Sequence, residues 1–270
     1  MTLTWKKRTL VVVVASCLMF FFQSSLAQSH IETGFLDRLV KVAAHDYRYQ
    51  VYVPSSYTAA HRWPVILFLH GKGERGSDGL LQTQVGLGAA VRQYSSRYPA
   101  IVVFPQAPAD SLWTGIPAHV AIAALDQTMQ EFQTDSDRVY LTGLSMGGNG
   151  AWYLAYRYPS KFAALAPICG WVVPFAPRHH GFETVVPAGD SLSAFEALAH
   201  QLGHLPTWIF HGEKDSTVPV EQSRQAAAAL KVAGADVQYT EFPGIGHTSW
   251  DAAYSSTKFT TWLFAQRRKP

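Results

Sequence analysis

Cysteine is nearly absent from this 270-residue chain, which holds only Cys17 and Cys169. With Cys17 inside an N-terminal apolar stretch, the rest of the chain has a single thiol and no internal disulfide. Its stability must come from a hydrophobic core, which a domain of about 240 residues can build. A basic surplus is missing too. The first 27 residues hold three of the 22 Lys and Arg and none of the 19 Asp and Glu, leaving 19 of each sign. That balance argues against a nucleic-acid partner or a polybasic membrane patch. The longest greasy run, Leu10 to Phe22, falls short of the ~20 residues that a membrane span needs. No His/Cys/Glu spacing has the form of a zinc site. The P-loop pattern G-x-x-x-x-G-K-[ST] is absent. No internal repeat, low-complexity tract or linker interrupts residues 30 to 270.

What is present begins with an export signal. Lys6, Lys7 and Arg8 precede the apolar Leu10 to Phe22, and Ser25-Leu26-Ala27 offers small residues for cleavage. Residues 1–27 are therefore expected to be a signal peptide cut after Ala27. Residues 28–270 then form a single domain, secreted or periplasmic, with no integral membrane span. An uncleaved anchor is one alternative. Lipidation at Cys17 is another, since Val14-Ala15-Ser16-Cys17 resembles a lipobox, but the sequence after it stays apolar, and this ranks below simple cleavage.

Short apolar runs then alternate with longer helix-like stretches. Tyr47 to Val53 reads as an early edge strand. Val65 to Leu69, Ile101 to Phe104, Val139 to Leu141, Leu165 to Ile168 and Trp208 to Phe210 read as strands buried on both faces, followed by Val237 to Phe242. Helices are expected near Leu87 to Tyr94, Ala118 to Phe132, Gly148 to Tyr156, Phe195 to Gln201 and Glu221 to Ala233, with a terminal helix near Trp250 to Ala265. Such alternation predicts an α/β layered fold with a mostly parallel sheet and right-handed crossovers.

Within that series, "VYLTGLSMGGNGAWYLA" changes from strand to helix through Gly143-Leu144-Ser145-Met146-Gly147. G-x-S-x-G in this context is a nucleophile elbow: the serine stands on a strained turn that exposes its hydroxyl, and the glycines make room for neighbouring backbone. A serine hydroxyl needs a base, and the base needs an orienting carboxylate. In chain order both should follow the serine on later strand ends. "WIFHGEKDSTVP" supplies Asp215 and "FPGIGHTSW" supplies His247. Glu213 is the alternative acid. Asp251 suits a helix N-terminus instead. His179, His180, His200 and His204 precede the acid and are excluded by order. His211 opens the acid loop and is expected to brace it rather than take a proton. Donors for an oxyanion should be the backbone N–H of Met146 and an N–H from the glycine-rich loop "LFLHGKGERGSDG", for which Lys72 is the candidate. A phosphate-binding role for that loop lacks the necessary spacing.

Six segments in order, "LFLHGKGERG", "FPQAP" with Trp113 following, "VYLTGLSMGGNGAW", "FAALAPICGW", "HGEKDSTVP" and "GIGHTSW", resemble the α/β-hydrolases. They are similar to the secreted esterase branch of polyhydroxybutyrate-depolymerase-like and feruloyl-esterase-like enzymes and so-called predicted peptidases. The resemblance spans most of residues 45 to 265. It implies Ser145 as nucleophile, Asp215 as orienting acid, His247 as general base and acid, an acyl-enzyme intermediate and no cofactor or metal. The expected activity is hydrolysis of a small-molecule or polymer-derived carboxylic ester. Peptide hydrolysis and a noncatalytic binding role on the same scaffold are the alternatives. Residues 170 to 191 lie where such enzymes build pocket walls. Trp113, Trp171 and Phe175 are the candidates for an apolar acyl or alcohol pocket, unless these rings simply pack in the core.

Overall fold

Strand β3, Trp63–Leu69, shows how the apolar runs fold. Successive side chains of a strand point to opposite faces. Val65, Leu67 and Leu69 enter one core cluster while Ile66 and Phe68 enter another. A strand apolar at every position therefore requires helices on both sides of the sheet. The computed structural model describes residues 1–2, 32–176, 181–187 and 192–268. The expected signal segment and Cys17 lie outside the described residues, as do His179 and His180. Contacts divide the chain into Met1–Ile31 and Glu32–Pro270, and everything below concerns the second unit.

The remaining strands are β1 Gly34–Val42, β2 His45–Val53, β4 Ile101–Pro105, β5 Thr134–Leu144, β6 Ala164–Ile168, β7 Thr207–Gly212 and β8 Val237–Phe242. They form one sheet in the order β1-β2-β4-β3-β5-β6-β7-β8. The pairs β1/β2 and β2/β4 are antiparallel, and the rest are parallel. Among the described residues seven helices accompany them: α1 Leu87–Gln93, α2 Ile116–Glu131, α3 Met146–Arg157, α4 Ala194–Leu202, α5 Glu221–Val232, α6 Trp250–Tyr254 and α7 Thr257–Ala265. Residues of α2, α3, α4 and α5 join the core on one face of the sheet. Those of α1, α6 and α7 join the core on the other. This is the expected α/β architecture, a mostly parallel sheet with helices on both faces.

Two elements differ from the sequence reading. The strand containing Tyr47 to Val53 is not at the edge, because β1 pairs along its whole length from Gly34↔Val53 to Val42↔His45. The connection is a two-residue turn, Ala43-Ala44, with both φ angles positive. Such turns are normally marked by Asn-Gly or Asp-Gly, so two alanines hide the hairpin. The expected terminal helix breaks between α6 and α7, where Ser256 caps α7 by accepting from the Phe259 N–H at 3.4 Å. At the other side of the sheet, β8 forms the second edge. The carboxyl ends of β3, β5, β6, β7 and β8 share one rim, and the loops leaving them carry the candidate residues.

Candidate active site

At the end of β5 the backbone turns sharply into α3. Ser145 occupies that corner with φ 54° and ψ −114°, outside the favoured regions for an L-residue. Such a conformation costs about 1–3 kcal/mol and persists only where the surroundings enforce it. Here its N–H donates to Ile168 O at 2.8 Å, tying the corner to the end of β6. The flanking glycines are required by space: a Cβ at Gly147 would lie 1.9 Å from Leu69 O, and one at Gly143 would lie 2.3 Å from Gly147 O. The elbow is thus wedged between β3 and the first turn of α3.

Two distant loops complete the constellation. His247 Nε2 lies 2.8 Å from Ser145 Oγ, and its Nδ1 lies 2.7 Å from Asp215 Oδ2. The Asp215 side chain is fully buried, while that of His247 is 21% exposed, so the imidazole meets the cavity and the carboxylate does not. Asp215 Oδ1 accepts from the N–H groups of Thr217 at 2.8 Å and Val218 at 2.9 Å. Burial alone would raise its pKa, but hydrogen bonds from His211, His247, Val218 and Thr217 outweigh that and hold it well below the usual carboxylate range. The edge of the His247 ring packs against Trp250, with centroids 5.4 Å apart. Glu213, the alternative acid, is exposed and accepts from the Gly244 N–H at 2.7 Å. Asp251 is exposed in the first turn of α6.

Met146 begins α3 and Lys72 begins a short 3₁₀ turn, Lys72–Glu74, and both line the cavity over Ser145. The first N–H groups of a helical segment have no partner within it. Arg75 secures the Lys72 loop by donating to Lys72 O at 3.2 Å and to Ser111 O at 3.1 Å. Beneath it, buried His70 donates from Nδ1 to Gly71 O at 2.6 Å, and its Nε2 accepts from the Ala107 N–H at 3.0 Å.

The cavity has a volume of about 450 Å³, and Trp171 and Phe175 are on its wall. Their rings meet edge to face, 5.7 Å apart. Trp113 requires correction. It is fully buried, is not part of the wall, and donates from Nε1 to His70 O at 3.0 Å. Its ring edge meets the His70 ring at 4.9 Å, making it a support beneath the Lys72 loop. Leu112, Phe182 and Trp250 line the cavity without having been singled out in the sequence. Trp250 had a signal, standing three residues after His247 as the first residue of α6. Lys72, Glu74, Arg75 and Asp110 add a mixed-charge side.

Cys169 Sγ lies within 4.8 Å of ligand-capable atoms of Asp215 and His247. The thiol is wholly buried, and burial pushes its pKa well up. A thiol kept protonated is a poor metal ligand, and the other two groups are already engaged with each other.

Residues 113–265 match the model of the prolyl oligopeptidase family. The chain belongs to that family. Within it, this prolyl oligopeptidase family member is an α/β-hydrolase of the esterase branch. It is 30% identical over 232 residues to a poly(3-hydroxyoctanoate) depolymerase of Pseudomonas fluorescens, covering 78% of this chain and 77% of the other. It is 28% identical over 214 residues to an uncharacterized secreted protein of Arthroderma benhamiae, covering 68% of this chain. The match covers only 21% of that relative's own length. Among solved structures, a thermostable esterase matches with 31% identity and a TM-score of 0.74, over 87% of this chain and 63% of the other.

Proposed function

We propose that this family member hydrolyses carboxylic esters through Ser145, His247 and Asp215. The observation that carries the reading is the single imidazole bridging Ser145 Oγ at 2.8 Å and Asp215 Oδ2 at 2.7 Å. The carboxylate fixes the tautomer in which Nδ1 bears hydrogen and Nε2 has a free lone pair facing the hydroxyl.

In the reaction, Ser145 Oγ attacks the ester carbonyl carbon while its proton passes to His247 Nε2. The carbonyl oxygen becomes an oxyanion, held by the N–H groups of Met146 and Lys72. Collapse of this tetrahedral species breaks the carbonyl–alkoxy bond, and Nε2–H delivers its proton to the departing alkoxide. Water then attacks the acyl-enzyme, gives a proton to Nε2, and the second collapse returns that proton to Ser145 as the acid departs. Asp215 stays ionised throughout and stabilises the transient imidazolium. The aromatic side of the cavity favours an apolar or aryl group on a small or medium ester. Names of relatives containing depolymerase and esterase support that class.

Peptide hydrolysis is the second reading, favoured by the matched family's name and by the shared chemistry. It is weaker because an amine leaving group demands fuller protonation than an alkoxide. Export of the chain, with cleavage after Ala27, is also proposed; it is supported by the charged and apolar N-terminal pattern and by the relative named as secreted.

The test is fluorophosphonate labelling with turnover of p-nitrophenyl esters of graded chain length, aryl esters and short peptides. Labelling should fall on Ser145, and Ser145→Ala should lose both label and ester turnover. Undiminished turnover in that variant removes the reading. Faster cleavage of peptides than of any ester would replace the ester assignment by the peptidase one.

A further inference from the structure

Below the site lies a second imidazole that the chemistry just described does not use. His211 is the penultimate residue of β7 and is wholly buried. Its Nε2 lies 3.1 Å from Asp215 Oδ2 and 3.1 Å from Val218 O, and its Nδ1 lies 2.7 Å from Ser223 Oγ near the start of α5. A carboxylate and a carbonyl both accept, so Nε2 must carry hydrogen. On the neutral ring, Nδ1 then accepts from the Ser223 hydroxyl.

The acceptor capacity of Asp215 is thereby filled. Oδ1 receives the N–H groups of Thr217 and Val218, while Oδ2 receives His247 Nδ1–H and shares the single His211 Nε2–H with Val218 O, each 3.1 Å from that nitrogen. Three of these donors belong to the β7 segment and the loop that follows it. The fourth, His247, gains and loses charge as it works.

Resting on the hydrolase reading above, we infer that His211 is a positioning residue for the reaction. Its Nε2–H fixes the plane of the Asp215 carboxylate and withdraws part of the negative charge that faces His247. Ser223 holds the tautomer that does this. His211 is not on the cavity wall, so its loss should act on turnover and leave substrate binding alone. Removing the donor leaves the charge on Oδ2 unshared, which stabilises the His247 imidazolium. The acid limb of the rate profile must then move to higher pH.

The neighbouring charges do not mimic that shift. Glu241 of β8 stands opposite His211 in the sheet register and is paired with Arg224 of α5, and its hydrogen bonds to Arg224 and Tyr239 hold its pKa well below the usual range. Cys169 faces the same carboxylate from the end of β6 and stays a neutral thiol. The charged and titratable side chains set around the Asp215 carboxylate are thus Cys169, His211 and His247. Protonated His211 would still donate from Nε2, with Ser223 reversing to accept.

The experiment compares His211→Leu, which has no donor, with His211→Gln, whose amide nitrogen can reach the position of Nε2. In His211→Leu, kcat should fall about tenfold to a hundredfold, as for loss of a hydrogen bond to a charged group. KM should stay unchanged, and the acid limb of kcat/KM should move up. His211→Gln should recover most of kcat and return the limb toward its original position. Equal impairment of both variants with an unmoved limb would overturn the inference, as would full activity in His211→Leu. Should His211→Leu fail to fold, Ser223→Ala keeps the ring and removes its partner. A severalfold loss of kcat at constant KM is then expected, and no loss overturns the inference. Fluorophosphonate labelling of the parent chain separates the two proposals. An unlabelled Ser145 sinks the hydrolase reading, whereas a labelled parent with an unimpaired His211→Leu sinks only the role of His211.

Discussion

The same dipeptide stands at two strand ends, His70-Gly71 just after β3 and His211-Gly212 as the last two residues of β7, and the two corners do different work. Both imidazoles are fully buried. Gly212 is forced by close approach, since a Cβ would lie 2.1 Å from Gly246 O, whereas at Gly71 a Cβ would lie 2.8 Å from the side-chain tip Leu144 Cδ1, which can shift. The partners differ. His70 bonds to backbone, to Gly71 O and Ala107 N–H, and so braces the loop that carries Lys72, the proposed oxyanion donor. His211 bonds to a carboxylate, a carbonyl and a hydroxyl, and so shapes a charge. A buried histidine read from sequence is therefore ambiguous until its partners are known, even when the residues around it match.

The largest effect should come from the charge-holding corner. Asp215→Asn keeps the shape but leaves an amide whose NH₂ can face His247 and select the wrong tautomer. kcat should drop by about 10⁴-fold, measured by steady-state ester turnover, with the fold retained by circular dichroism. If Glu213→Gln were more damaging than Asp215→Asn, the acid would be misassigned and the comparison of corners would fail with it.

At the backbone-holding corner the decisive substitution is Lys72→Pro. Lys72 opens its 3₁₀ turn after an extended Gly71 with ψ −174°. Proline is tolerated at the first position of a helical turn and suits an extended residue before it. It deletes the N–H, together with the side chain that Lys72→Ala also removes. Loss of one oxyanion donor costs about 10²- to 10³-fold in kcat. Lys72→Ala keeps the N–H and should lose far less. Equal losses in the two variants would mean that the ammonium, and not the backbone, acts on the substrate.

The same distinction explains what was legible in the sequence. The inner strands β3, β4 and β6 were plain because every residue is buried, leaving uninterrupted apolar runs. Strand β1 was not, because an edge strand interleaves Asp37, Arg38 and Lys41 with its apolar residues and turns through Ala43-Ala44. Ser145, Asp215 and His247 were legible because each stands at a strand end amid glycines and turn residues that leave few alternatives for the chain. Their roles rested on chain order, and the structure brings the three side chains together. Trp113 was misread because an aromatic residue after "FPQAP" has the same signature as a core ring or as a pocket wall. What decides is its bond to His70 O, 43 positions away in the chain. Phe182 was not singled out within residues 170 to 191, the stretch expected to build pocket walls, although the cavity wall includes it.

The smallest effect is on stability, and it isolates His70. Burial, opposed by its bond to Gly71 O, lowers its pKa from the ordinary 6.5 to about 4. In the folded chain the ring therefore stays neutral in a range where the unfolded chain binds a proton. Stability from this residue is fully present above pH 6.5, declines as pH falls toward 4, and loses nothing further below that. The shift corresponds to about 3 kcal/mol across the window. His70→Gln should unfold more easily than the parent at pH 7, having lost the fitted ring. Its stability should then fall less steeply between pH 6.5 and 4, as followed by urea midpoints at half-unit steps. Parallel curves for the two proteins would mean that His70 carries no such linkage, and the contrast between a neutral backbone brace and a charge-coupled one would lose its first half.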